Sequence, residues 1–141
     1  NAAEKANINK AYYRKLKQGF DVENENGQII KNELVTKPAK PPKSYAFCSD
    51  TVYKVDIVPI IKNTSVLYHE STFLEKHANL AAKTKHSTAK EAASIAKQAN
   101  IGTLLLGHYS TRYDGLNAFK EEAEEVFENV ELSEDGKTFE F

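Results

Sequence analysis

Asp50, the adjacent pair His69-Glu70, His86 and His108 are the residues of this 141-residue chain whose types and placement suit chemistry. Aspartate and histidine supply the oxygen and nitrogen ligands of zinc, and a histidine beside a glutamate is an oriented proton donor. Asp50 follows the apolar run Tyr45-Ala46-Phe47-Cys48, His69-Glu70 closes Val66-Leu67-Tyr68, and His108 closes Leu104-Leu105-Leu106-Gly107. His86 precedes the helix signal that begins at Thr88. Each has a plainer reading: Asp50 as a turn cap, His86 as an exposed neighbour of an N-cap, His69 or His108 as a half-buried, hydrogen-bonded histidine. Together they fit a site better, because ligands of α/β sheets collect at the carboxyl ends of strands. His77 stands apart and is assigned no role. Nucleophilic catalysis finds no support, since Cys48 sits inside an apolar run and no Gly-x-Ser-x-Gly elbow or Gly-rich phosphate loop occurs.

The elements that must position these residues are short and alternate. Residues 45–48, 66–69 and 103–107 read as strands; residues 57–62, 88–99 and 116–127 read as helices; and residues 131–141 read as a hairpin around Asp135-Gly136. That order predicts an α/β layered sandwich with a mixed sheet, its last hairpin adding an antiparallel edge. Thr88 and Glu91 have capping-box spacing, while Leu116, Phe119, Ala123, Val126 and Phe127 share one helix face opposite Glu121, Glu122, Glu124, Glu125 and Glu128. That Glu run reads as a solvated face. Upstream, residues 8–17 read as a short basic helix stopped by Gly19, and Asn26-Gly27 between apolar pairs predicts a β-hairpin. Three prolines within residues 37–43 make an extended connector, so residues 1–43 and 44–141 are expected to be separate subregions.

Composition bounds the class. With 40% hydrophobic and 28% charged residues the chain is an ordinary globular domain, and neither a membrane span nor an export signal is read in it. A single cysteine permits no internal disulfide, which leads to the expectation of a cytoplasmic protein. The lack of any methionine and the opening Asn1-Ala2-Ala3 lead to the expectation of a fragment. Charge is unevenly spread: residues 1–43 carry nine Lys/Arg against five Asp/Glu, residues 44–113 eight against five, and residues 114–141 two against ten. The basic part suits a polyanionic partner and equally suits solvated helix faces.

Four motifs in order, Ser49-Asp50-Thr51, His69-Glu70-Ser71-Thr72-Phe73, His86-Ser87-Thr88-Ala89-Lys90 and Gly107-His108-Tyr109-Ser110-Thr111-Arg112-Tyr113, resemble the C-terminal half of the ribonuclease Z family of metallo-β-lactamase-fold tRNA 3′-endonucleases. The resemblance extends from about residue 8 onward, with Ser71 where the family more often has Ala. It implies the C-terminal part of a four-layer αββα sandwich, a site for two zinc ions, precursor tRNA as substrate and a homodimer. By position it makes Asp50 the carboxylate bridging the metals, His108 a ligand, His86 the proton donor to the departing ribose 3′-oxygen and Glu70 the group that orients His86. Ser110, Arg112 and Tyr113 would position phosphate or support the metal shell.

The family's main metal motif, His-x-His-x-Asp-His, does not occur in this chain. Two ligands cannot complete a dinuclear site, so the chain alone is expected to be inactive. The competing expectations are another metallo-β-lactamase-fold phosphodiesterase and a non-catalytic RNA-binding or assembly module carried by the basic region.

Overall fold

Prolines 38, 41 and 42 withhold three backbone donors, and the chain divides there: in the computed structural model, which describes residues 1–141, Asn1–Pro42 and Lys43–Phe141 form separate units. No helix is long and apolar enough to cross a membrane.

The first unit contains α1 (Ala2–Lys5), a 3₁₀ turn (Lys10–Tyr12), α2 (Tyr13–Lys17), β1 (Val22–Glu23), β2 (Ile29–Ile30) and α3 (Asn32–Val35) around buried Ala3, Ile8, Leu16 and Val22. The expected basic helix starts later than Ile8 because the Asn9 side chain caps the Ala11 N–H at 3.0 Å. Gly19 does end it, at a φ of +89°. β1 and β2 pair antiparallel, Val22 opposite Ile30, across a turn in which the Asn24 carboxamide accepts the N–H groups of Asn26 and Gln28. Two one-turn helices, α1 and α3, are additions to the expected elements; a single turn carries no periodicity to read.

The second unit contains β3 (Tyr45–Cys48), α4 (Val58–Ile61), β4 (Val66–Glu70), α5 (Ala78–Thr84), α6 (Ala89–Gln98), β5 (Thr103–Gly107), α7 (Asn117–Glu124) and β6 (Val130–Leu132). The strands lie side by side in chain order, every pair parallel. Leu67, Leu104, Leu106, Val130 and Leu132 pack with Ala92, Ile95, Ala96, Phe119 and Ala123 of α6 and α7. Full burial of each such leucine contributes about 1.5–3 kcal/mol. α6 begins at the expected capping box, with the Glu91 N–H on Thr88 Oγ1 (3.1 Å) and the Thr88 N–H on Glu91 Oε2 (2.8 Å).

Two expectations need correction. The antiparallel pairing in this chain belongs to β1 and β2, whereas the edge strand β6 runs parallel to β5. The expected terminal hairpin makes its turn, with Gly136 at a φ of +81° and the Lys137 N–H on the Glu134 carbonyl, but no returning strand. Phe139 and Phe141 instead line a groove with Val66 and Leu105 on the sheet face opposite the helices, and Phe141 stacks on Tyr45. Apolar contact with that face replaces the backbone ladder. Tyr45 and Phe47 remain exposed on it, Phe47 stacked on Tyr68 at 4.6 Å.

His69, on β4, is fully buried; its Nδ1–H donates to the Glu70 carbonyl at 2.7 Å and its Nε2 has no partner. Burial pushes this imidazole below its ordinary value, because the charged form would be desolvated. The unfolded chain therefore binds the extra proton first. The resulting stability is complete above the unfolded value near 6.5 and falls as the pH drops toward the folded one, by about 1.4 kcal/mol for each unit of displacement. Urea midpoints measured at pH 7.5 and pH 5 should drop more for the wild type than for His69→Asn, which keeps a donor but does not titrate; equal drops would refute the assignment.

Candidate active site

Three adjacent parallel strands end on one rim, and each delivers one functional residue there. Asp50 lies two residues beyond β3, Glu70 is the last residue of β4, and His108 follows β5 directly; Glu70 and Gly107 are register partners. Asp50 and His108 have φ values of +49° and +59°. Left-handed backbone in non-glycine residues costs of order 1–3 kcal/mol and persists where surrounding contacts enforce it. Here it turns the chain sharply at the two strand ends that carry the site.

Glu70 is fully buried and holds the site together. Its Oε1 accepts the Thr51 N–H (3.1 Å) and His86 Nδ1–H (2.9 Å), and its Oε2 accepts the Thr72 N–H (3.0 Å) and contacts Thr72 Oγ1 (2.8 Å). Four donors match the four acceptor positions of an ionised carboxylate. His86 comes to this carboxylate from α5, whose last residue is followed by Lys85 in the left-handed conformation with a φ of +63°, after which the His86 N–H returns to the Ala81 carbonyl. The next residue, Ser87, is buried, with its hydroxyl on the Thr51 carbonyl at 2.7 Å. A parallel bridge between Phe73 and Thr88 ties the loop after β4 to the start of α6.

On the solvent side, His108 Nε2 and Asp50 Oδ1 are 3.2 Å apart, and one ligand atom from each of Asp50, His86 and His108 falls within 4.8 Å of the others. The His86 and His108 rings lie 5.3 Å apart. The side chains of His108 and Asp50 are 42% and 70% exposed, so an incoming ion or substrate reaches both. The donor set fits a metal ion: the 3.2 Å between the carboxylate oxygen and the imidazole nitrogen is close to the separation, about 3.4 Å, of two neighbouring tetrahedral ligands with bonds near 2.0–2.2 Å. These residues alone do not make up two complete coordination shells.

The supporting residues divide. Arg112 is exposed, with its guanidinium 5.3 Å from the Phe73 ring and its Nε–H on Ser110 Oγ at 3.3 Å, so Ser110 and Arg112 act together. Tyr113 has a different occupation: its hydroxyl accepts the Leu74 N–H at 3.0 Å and meets His77 Nδ1 at 2.7 Å, while its ring packs edge-on against Phe119. His77, which has no role in the sequence pattern, thus has Tyr113 as its partner. Thr51, Thr72 and Ser87, which stand in the same motifs without an individual role read from the sequence, prove to hold the acids and histidines in place. Gly107 leaves room for its neighbours, because a Cβ there would overlap the Tyr68 side chain and Ser133 Oγ unless they moved.

No family model matches the chain. It is 49% identical over 126 residues to "Ribonuclease Z" of Porphyromonas gingivalis, covering 89% of this chain and 41% of the relative. With "Ribonuclease Z" of Cytophaga hutchinsonii the figures are 46% over 126 residues, 88% and 40%; with that of Parabacteroides distasonis they are 44% over 123 residues, 87% and 40%. The chain therefore spans about two fifths of the length of these relatives. Among solved structures, the metallo-beta-lactamase fold protein YhfI from Bacillus subtilis superposes with a TM-score of 0.64 at 27% identity over 68% of this chain and 39% of that one. A long form RNase Z from yeast gives 0.58 at 26% identity over 64% and 12%. The four-stranded unit has the metallo-β-lactamase architecture expected from its motifs.

If Glu70 organises this rim, changing one oxygen to an amide should destabilise the fold. In Glu70→Gln the new NH₂ must face groups that are themselves donors, and each buried donor left unsatisfied costs about 1–3 kcal/mol. Chemical denaturation should show a loss of at least about 2 kcal/mol on the same grounds; an unchanged midpoint would show that Glu70 does not organise the rim.

Proposed function

We infer that this chain, a homologue of ribonuclease Z over nearly nine-tenths of its length, carries the proton-donating half and part of the metal-holding half of a phosphodiester hydrolase that removes the 3′ trailer from precursor tRNA. The observation that carries this reading is the Glu70–His86 pair at 2.9 Å standing beside the Asp50–His108 pair at 3.2 Å on one rim. Cleavage between the ribose 3′-oxygen and phosphorus, with water attacking phosphorus, leaves a tRNA 3′-hydroxyl and a 5′-phosphate on the trailer. A ribose alkoxide is a poor leaving group and needs a proton as it departs.

His86 is placed to supply it. Its Nδ1–H is fixed on the Glu70 carboxylate, and its Nε2 is the nitrogen left to give a proton to the 3′-oxygen. Glu70 itself is fully buried and meets no substrate; it sets the direction of the ring. Asp50 and His108 would hold the metal, with further ligands from outside this chain. Zinc is the ion this oxygen and nitrogen set favours; bound there, it supplies Lewis acidity and activates the attacking water. Arg112, held by Ser110 and stacked on Phe73, presents a planar guanidinium to a phosphate oxygen. Tyr113 supports this loop from beneath through Leu74 and His77. The same reading takes the complete protein to be a cytoplasmic homodimer.

Residues 1–42 contribute by charge. Lys10, Arg14, Lys15, Lys17, Lys37 and Lys40 are all exposed, and phosphate contacts from such side chains release counterions. Binding of the chain to tRNA should therefore be weak and should fall several-fold as salt rises from low to moderate concentration; a salt-independent isotherm would argue that these charges are ordinary solvated faces.

Cleavage tests the proton donor directly. In a polypeptide that supplies the remaining ligands, His86→Ala should lower the rate of precursor cleavage by about 10²–10⁴-fold. A substrate with sulfur in place of the 3′-bridging oxygen departs without a proton and should lose most of that defect. An equal defect on both substrates would show that His86 is not the acid. Strong cleavage of a small diester with none of pre-tRNA would favour another phosphodiesterase.

A further inference from the structure

Thr72 stands between the two halves of the site. Its hydroxyl is 2.8 Å from Glu70 Oε2 and 2.9 Å from His108 Nδ1, and the residue is buried. A hydroxyl has one proton, and counting protons decides where it lies. The other three acceptor positions of Glu70 are taken by the N–H groups of Thr51 and Thr72 and by His86 Nδ1. An ionised carboxylate has no proton to offer, so the 2.8 Å contact uses the proton of Thr72. The hydroxyl then presents only lone pairs to His108, and the 2.9 Å contact requires a proton on Nδ1.

From this we propose that Thr72 is a positioning residue that holds neutral His108 in the Nδ1–H tautomer and thereby keeps the Nε2 lone pair aimed at Asp50 as a metal ligand. The proposal builds on the reading of Asp50 and His108 as metal-holding residues and adds the group that prepares one of them. Without Thr72 the neutral ring has a competing choice, Nε2–H donating to Asp50 Oδ1 at 3.2 Å, which would occupy the nitrogen the metal needs. Fixing a ligand histidine through its second nitrogen is how metal sites orient rings and raise ligand basicity. Here the fixing hydroxyl also touches the carboxylate that orients His86, so one side chain sets both histidines. The backbone of Thr72 reinforces the link, since its carbonyl accepts the Ser110 N–H at 3.1 Å from the loop that carries Arg112.

The tautomer is measurable in this chain without metal or tRNA. Multiple-bond ¹H–¹⁵N correlation on histidine-labelled protein, at a pH where the rings are neutral, distinguishes a protonated from an unprotonated ring nitrogen. His108 should show protonated Nδ1 and bare Nε2 in the wild type and in Thr72→Ser, and the reverse or a mixture in Thr72→Val. A wild-type His108 protonated on Nε2 overturns the proposal, as does a Thr72→Val spectrum identical to wild type. Should Thr72→Val fail to fold, the wild-type and Thr72→Ser spectra still decide.

A cobalt(II) titration of the same proteins supplies the second readout. Thr72→Val should bind about 10–100-fold more weakly than wild type, and Thr72→Ser should restore the affinity. Equal affinity in Thr72→Val overturns the proposed purpose of the contact. A wild-type chain with the stated tautomer that takes up no cobalt supports the positioning role and removes the metal-holding role proposed for Asp50 and His108.

Discussion

The site depends on one carboxylate buried away from water. A charge in that position is costly unless its acceptor positions are filled, and Glu70 is tolerated because four contacts from three stretches of chain converge on it. Thr51 belongs to the loop after β3, Thr72 to the loop after β4, and His86 to the loop before α6. Because each donor is needed to offset the burial of the charge, each loop is held to within a hydrogen bond's tolerance. The same contacts that make Glu70 stable inside the protein therefore make His86 and His108 rigid at its surface.

The parallel sheet explains why those loops meet at all. With strands in chain order and all parallel, successive carboxyl ends lie side by side on one edge, and helices carry the chain back across a single face. Residues 50, 70 and 108, far apart in sequence, come within reach as a result. Positive φ at Asp50 and His108 marks a sharp turn of the backbone at both strand ends. Aspartate is among the residues that enter this region most readily, and histidine is also enriched there, so the residues suited to binding an ion are suited to the turn that presents it.

The legible parts of the sequence were those governed by local rules. The three parallel strands, the Thr88–Glu91 capping box and the Asn26-Gly27 hairpin turn all follow from periodicity or from residues within a few positions of one another. Asp50, Glu70, His86 and His108 were legible because acids and histidines at strand ends are conspicuous, and their motifs resemble a family. What escaped was set by tertiary contact. The direction of β6 depends on pairing with β5, and the path of residues 137–141 depends on the apolar face that Phe139 and Phe141 meet. Thr72 escaped for a similar reason: a threonine two residues after a glutamate looks like turn chemistry, and only its approach to His108, 36 residues away, gives it a further role.

Burial rises in steps across the site and separates its tasks. The side chain of Asp50 is 70% exposed and that of His108 42%, that of His86 is 24% exposed, and that of Glu70 is fully enclosed. The groups proposed to meet an ion are the most accessible, and the group proposed to orient His86 is the least. The His86 ring, the carboxylate that orients it and the loops that fix both are all present in this chain and mutually hydrogen-bonded. On the proposed reading a metal shell is not completed in this way, because a single carboxylate and a single directed imidazole would define one corner of it. Yet the corner is preformed. Asp50 and His108 face each other at 3.2 Å, and the contacts that orient His108 lead through Thr72 back to Glu70.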